Sequence, residues 1–292
     1  MSAEAEKIHL NWIGPSEGQD AMLTRAGFEV HHRESKSLEN RHYTELEVRY
    51  LGSESIKDAR AALFAETSRI GVDVIFRRQT GLPKKAGLLV LDVDSTLIQN
   101  EVIDELGREH GVYEEIREIT ERAMRGELDF KQSLTLRCQK LKGLSEADLR
   151  STLARIRLSN GAKELMEGAR RLGCRTALIS GGFRFVVNQL QRELGVDSAH
   201  ANELEFREGL FTGNLVGTLI DAEGKAILLE KTAAQWGVPL DQVVAVGDGA
   251  NDIAMLLRAG LGIGFQPKPV LWRSVDGLIS AGDLRSVLSV LA

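Results

Sequence analysis

Apolar positions recur with two different periods along the chain, and the changes of period cut it into short elements. IHLNWIG (8 to 14) predicts a strand. SEGQDAMLTRAG (16 to 27) predicts a short helix opened by Ser16 and closed by Gly27. FEVHHRES and then HYTELEVRYL, in which Tyr43, Leu46, Val48 and Tyr50 nearly alternate, predict two further strands. SIKDARAALFAETSRIG (55 to 71) sets Ile56, Ala59, Leu63 and Ile70 at helical spacing before a terminal Gly, and VDVIFRR follows as a strand. The resulting order is βαββαβ, the split ferredoxin-like arrangement.

Beyond this the pattern changes. AGLLVLDVDST (86 to 96) is a continuous apolar run of the kind buried on both faces of a parallel sheet. CRTALIS (174 to 180), QVVAVGDG (242 to 249) and LGIGF (261 to 265) are comparable, and helical patterns such as AKELMEGARRLG and DIAMLLRAG lie between them. Alternation of this sort predicts an α/β domain with a mainly parallel sheet. Residues 98 to 158 show no strand pattern and read as charged amphipathic helices, an insertion long enough to form a lid over the end of the sheet. Turn formers and two lysines at Thr80-Gly81-Leu82-Pro83-Lys84-Lys85 predict an exposed linker. The expected division is 1–82 and 83–292, the latter with a core of 83–97 and 159–292 and a helical cap of 98–158.

Composition narrows the partners. The 292 residues carry 37 basic and 42 acidic side chains, a net charge of -5, with no basic run. This argues against broad binding to nucleic acid or anionic membrane and for a small-molecule substrate. No apolar stretch approaches the ~20 residues of a membrane helix. The acidic, polar start lacks the form of a signal peptide, so the expected location is the cytoplasm. Cys138 and Cys174 are far apart and outside any metal-ligand spacing, which predicts two core thiols. His31, His32 and His42 are expected to decorate strands rather than bind metal.

Candidate chemistry collects where predicted strands end. The first ends in Asp92-Val93-Asp94-Ser95-Thr96. A bare DxD is expected about once by chance in such a chain and also suits a turn or helix cap. A second acidic cluster, Gly247-Asp248-Gly249-Ala250-Asn251-Asp252, is placed in the same way after QVVAV. Ligands of open α/β sheets bind outside the carboxyl ends of strands. Two adjacent carboxylate clusters repel unless a cation sits between them, and oxygen donors without His or Cys favour Mg²⁺. Ser180-Gly181-Gly182, before a predicted helix, offers a hydroxyl and backbone amides to an anion, or else is a turn that needs positive φ. Lys225 follows a Gly at the start of another predicted helix; alone, it would read as solvated surface.

Taken in order, DVDST, SGG, Lys225 and GDGAND resemble the four-motif signature of the haloacid dehalogenase superfamily of aspartate-nucleophile phosphatases. LDVDSTLIQNEVIDELGREHG, the LDF of 128 to 130 with SLTLR up to Arg137, ISGGF and VAVGDGANDIAML resemble its phosphoserine phosphatase family in particular. The resemblance covers about 83 to 292. The upstream part resembles, more loosely, the ACT-like regulatory domain of some bacterial members, without a recognisable serine-binding motif.

The resemblance implies a haloacid-dehalogenase-like Rossmannoid α/β fold with a helical cap and an N-terminal ferredoxin-like (ACT-like) domain. It implies Asp92 as nucleophile, Asp94 as acid and base, and Mg²⁺ held by Asp92, the Asp94 carbonyl and Asp248 with Asp252 in support. Ser180, the Gly181 amide, Lys225 and Asn251 would hold the phosphoryl group. In the cap, Glu101 and Arg137 would bind the ammonium and carboxylate of O-phosphoserine, and Phe130 would close over them. Other readings are the same chemistry on a different small phosphomonoester, transfer to an alcohol, or an amino-acid-sensing protein. Open sheet edges in an ACT-like domain would also permit a homodimer.

Overall fold

The computed structural model describes residues 7–38, 41–77 and 85–292. The first unit runs β1 (Lys7–Ile13), α1 (Gln19–Arg25), β2 (Phe28–Leu38), β3 (Arg41–Tyr50), α2 (Ile56–Thr67) and β4 (Asp73–Arg77). Its strands pair antiparallel in the order β2-β3-β1-β4, as the βαββαβ pattern predicts. Ser55 caps α2, its hydroxyl accepting from the Asp58 amide. The start of α1 departs from expectation. It begins after Gly18, which adopts the left-handed region (φ 70°), and not at Ser16.

The second unit continues with β5 (Leu88–Leu91), α3 (Val102–His110), α4 (Tyr113–Met124), α5 (Phe130–Lys140), α6 (Glu146–Leu153), α7 (Ala162–Arg171), β6 (Arg175–Phe183) and α8 (Arg184–Leu194). Then come β7 (Ser198–Arg207), β8 (Leu210–Val216), α9 (Ala222–Gln235), β9 (Val243–Gly247), α10 (Ile253–Arg258), β10 (Leu261–Phe265) and β11 (Gly277–Ile279). Strands β11-β10-β9-β5-β6-β7 are parallel, and β8 returns antiparallel to β7. All four residues of β5 are buried. Leu89 and Leu91 join a core on one face of the sheet with residues of α7, α8 and the inserted helices α3 to α5. Leu88 and Val90 join a core on the other face with α9, α10 and the inner side of the first unit, including Leu10, Trp12, Leu63 and Phe64. Cys138 and Cys174 are buried free thiols, each pushed up to about 12 chiefly by burial. No helix among the described residues is long and apolar enough to cross a membrane.

The expected linker, of which residues 80–84 lie outside the described residues, does not divide the chain into separate sheets. β4 pairs antiparallel with β11, Ile75 opposite Gly277 and Val74 opposite Leu278, so eleven described strands form one sheet. Side chains fix the joint. The Asp73 carboxylate accepts from the amides of Ser280 (2.8 Å), Ala281 (3.0 Å) and Gly282 (3.0 Å), an approach that leaves no room for a Cβ at Gly282. Arg60 of α2 forms a buried ion pair with Asp276 at 2.8 Å, and Asn11 donates to the Ser289 carbonyl at 2.8 Å. Because Asp73→Ala takes a charged acceptor from three amides, it should lower the unfolding free energy by about 2 kcal/mol. Urea denaturation measures this, and an unchanged midpoint at unchanged slope would show that the joint does not depend on Asp73.

Candidate active site

Three neighbouring strands, β9, β5 and β6, deliver the candidate residues to one end of the sheet. After Leu91 the chain leaves the strand. Residues 93–97 wind into a wide turn in which Asp94 is extended and Ser95 takes the left-handed region (φ 55°). The two carboxylates of the DxD therefore meet different partners. Asp92 Oδ1 accepts from Lys225 Nζ at 2.6 Å. Asp94 Oδ1 accepts from the Val102 amide at 3.0 Å, capping the first turn of α3, and Oδ2 accepts from Ser180 Oγ at 3.4 Å.

Lys225 lies in the first turn of α9, which starts at Ala222 behind an Asp221 cap, three residues earlier than expected. Its side chain is fully buried, and Nζ donates to Asp252 Oδ1 at 2.7 Å as well as to Asp92. The other oxygen of Asp252 accepts from the amides of Asp248 and Gly249, both at 3.1 Å. Asp92, Asp248 and Asp252 each place one carboxylate oxygen within 4.8 Å of the others. Burial, then the Asp252 charge, pushes Asp92 well above the usual carboxylate range despite Lys225. The same two causes push Asp248 up to about 6. Burial would lower Lys225, but Asp252 and Asp92 together raise it. Three buried carboxylates face one buried ammonium, and every donor is an oxygen. This donor set fits a divalent hard cation.

The neutral and cap residues gather around Asp94. Ser180 Oγ accepts from the Gly182 amide at 2.8 Å. Neither Gly181 nor Gly182 has positive φ, so the turn reading fails; Gly182 is required because a Cβ would collide with Asp94 Oδ2. Phe130, the first residue of α5, reaches over Gly181, its Cζ 3.2 Å from the point where a Cβ would stand. Glu101 accepts from Ser95 Oγ at 2.8 Å, and with burial, the larger cause, its charge pushes Asp94 up to about 7. Arg137 feels the charges of Glu101, Asp104 and Asp94, while burial draws its own pKa down. Asn251 lies half-buried in the short 3₁₀ turn Ala250–Asp252, its side chain folded back toward Gly249.

Comparison with known proteins adds the relationship. A family model described as haloacid dehalogenase-like hydrolase matches residues 89–257. The chain belongs to the haloacid dehalogenase-like hydrolases. The phosphoserine phosphatase of Archaeoglobus fulgidus is 44% identical over 241 residues, which cover 82% of this chain and 70% of that protein. A solved haloacid dehalogenase family hydrolase from Salmonella enterica serovar Typhi superposes with a TM-score of 0.86 at 28% identity, covering 98% of both chains. A "probable phosphoserine phosphatase" from Vibrio cholerae gives 0.72 at 34% identity, covering 99% of this chain and 86% of that one. Both structural likenesses take in the N-terminal unit with the haloacid dehalogenase-like core.

Several residues around the site lie outside the motifs singled out in the sequence. Asp104 on α3 adds a second carboxylate near Arg137. Asp221 caps α9 through the Gly224 amide and pairs with Lys131 of α5 at 3.0 Å, a bridge from core to cap. Lys268, largely exposed, donates its amide to the Asp248 carbonyl at 3.1 Å and holds Nζ 3.8 Å from Asp248 Oδ2. Only the Asp221 cap, an Asp at the start of a helical pattern, could have been sought from sequence. Because protons compete with a cation for carboxylates whose pKa values are raised, divalent metal affinity should fall as pH drops. Isothermal titration with Mg²⁺ should show roughly tenfold weaker binding per unit below pH 6, with proton release on binding. Affinity that is flat from pH 5 to 7.5 would exclude these carboxylates as the ligands.

Proposed function

We propose that the chain is a Mg²⁺-dependent phosphatase that hydrolyses O-phospho-L-serine to L-serine and phosphate, the last step of serine synthesis, in the cytoplasm. The observation that carries this reading is a pairing of two halves. Asp92, Lys225, Asp248 and Asp252 form one buried group, and the cap sets a carboxylate, Glu101, and a guanidinium, Arg137, beside it. A phosphate ester fits the first half and an amino acid's opposite charges fit the second. The same reading divides the chain into an ACT-like unit, 1–82, and a phosphatase unit, 83–292.

Lys225 fixes one oxygen of the Asp92 carboxylate and so orients it for attack on phosphorus. An Asp92 O–P bond forms as the bond from phosphorus to the serine oxygen breaks. Asp94, held near neutrality at about 7, gives its proton to the departing alkoxide. Asp94 then takes a proton from water as the water oxygen attacks the aspartyl phosphate, which frees phosphate and restores Asp92. Ser180, the Gly181 amide, Lys225 and Asn251 would hold the phosphoryl oxygens while charge redistributes. Mg²⁺ held by Asp92, Asp248 and the Asp94 carbonyl would neutralise anions that otherwise repel. Asp252 would support from behind, since its oxygens already accept from Lys225 and two amides. Phe130 over Gly181 excludes water from the first step.

The reading is tested by phosphate release from a panel of phosphomonoesters with Mg²⁺, alongside Asp92→Asn. Phosphoserine should lead the panel in kcat/KM, and Asp92→Asn should neither turn over nor take up labelled phosphate. Equal use of phosphoserine, phosphothreonine and sugar phosphates would reject the specificity; a labelled Asp92→Asn protein would reject the nucleophile. Arg137→Ala should cost about 2–5 kcal/mol in kcat/KM for phosphoserine, if it pairs with a desolvated carboxylate. Phosphoethanolamine, which has no carboxylate, should lose far less. Equal losses on the two esters would remove Arg137 from carboxylate recognition.

A further inference from the structure

We infer that Asn202 is a positioning residue for the phosphate half of the site, its side-chain amide clamping the Ser180-Gly181-Gly182 segment to the segment that carries Lys225. The inference rests on the phosphatase reading above and assigns Asn202 no contact with substrate. Asn202 lies on β7 and is 3% exposed. Its Nδ2 donates to the Gly181 carbonyl at 2.8 Å, and its Oδ1 accepts from the Ile220 amide at 2.9 Å. A carboxamide can donate to one backbone group and accept from another at the same time, which a carboxylate cannot.

The clamp stands where the sheet ladder fails. β6 and β7 keep parallel register through Ile179, opposite His200, and resume only at Phe183, opposite Asn202. The intervening residues 180–182 include two glycines, the residues with the greatest backbone freedom. Holding the Gly181 carbonyl fixes the whole peptide plane that it shares with the Gly182 amide, and the two groups of a trans peptide point in opposite directions. Asn202 thereby turns the Gly182 amide toward Ser180 Oγ, 2.8 Å away, and that hydroxyl faces Asp94 Oδ2.

The second bond reaches the other half of the phosphate site. Ile220 precedes Asp221, the cap of α9, and the Lys225 amide donates to the Asp221 carbonyl at 2.8 Å. The Ile220 carbonyl and Lys225 Cε lie 3.5 and 3.8 Å from the point where a Cβ on Gly181 would stand. One buried amide therefore sets the separation of Ser180 and Gly181 from Lys225, although β7 itself supplies no reacting group.

The test uses the full chain with Asn202→Asp. This variant keeps the shape and the bond from Ile220 but sets a carboxylate oxygen against the Gly181 carbonyl. kcat/KM for phosphoserine should fall by about 30-fold or more, and inhibition by inorganic phosphate should weaken by a comparable factor. Inhibition by L-serine, read by Glu101 and Arg137, should stay within about twofold. A merely structural role would weaken both inhibitors together. Asn202→Ala, which introduces no charge, should show the same split and serves if the Asp variant does not fold. Unchanged kcat/KM, parallel loss of serine and phosphate inhibition, or failure of both variants to fold would each overturn the inference. Wild-type protein inactive on phosphoserine would count instead against the functional reading, and phosphate binding measured by calorimetry would still read the clamp.

Discussion

The Lys225 ammonium, buried between Asp92 and Asp252 at 2.6 and 2.7 Å, joins parts of the chain 133 and 27 residues apart. Without it, Asp92, Asp248 and Asp252 would share one pocket as unrelieved like charges. Buried ion pairs repay their desolvation only with additional hydrogen bonds, and here Asp252 has them from two backbone amides. The arrangement nonetheless stops short of balance, since three buried carboxylates share one buried ammonium. A protein selected only for stability would replace the group with apolar side chains. Such an excess of carboxylate oxygens suits a divalent cation, whose own charge would in turn suit an anionic ligand.

Asp94 shows how the same end of the sheet assembles a second function from ordinary helix chemistry. Its carboxylate caps α3, the first helix of the insertion, so the acid–base candidate is also the point where the cap is attached. Ser95, forced into the left-handed region, reaches Glu101 from the same turn. Movement of the N-terminus of α3 would disturb the partners of Asp94 and Glu101 at once. Phe130 over Gly181 and the Lys131–Asp221 ion pair bind the middle of the insertion, at the start of α5, to the core. The cap is thus tied to the core at two separate places along its length.

Much of this was legible in the sequence, for a physical reason. Strands buried on both faces read as unbroken apolar runs, so β5, β6 and β9, and with them the placement of Asp92, Ser180 and Asp248 at one end of the sheet, follow from the hydrophobic pattern, although β6 runs three residues past its expected end, to Phe183. Edge elements leave weaker traces. The β7 sequence SAHANELEFR is polar and partly exposed, β8 stands at the edge of the sheet, and β11 has three residues, too few for a period. Glu101 and Arg137 entered only through family resemblance, because a charge on a helix gives no sign that it faces a cleft. The two glycines after Ser180 were visible, but their cause was not. Crowding by Asp94, a residue 88 positions earlier than Gly182, can be seen only once the strands are side by side.

The joining of the two units into one sheet was the least legible feature, and it limits how they can behave. β4 has the sequence of a central strand, DVIFR with four buried residues, yet nothing in it specifies whether its free edge meets solvent, a second chain or β11. The choice is made by Asp73, whose carboxylate satisfies three successive amides of residues 280–282, and by Arg60 with Asp276. The first unit is consequently continuous with the sheet face opposite the cap. From β11 the backbone path is short: the Gln266 amide donates to the Ile279 carbonyl at 2.6 Å, and two residues on, Lys268 bonds Asp248. An open, hinged linkage would leave that path soft. A paired strand at this position instead makes the first unit part of the same sheet against which the cap is held.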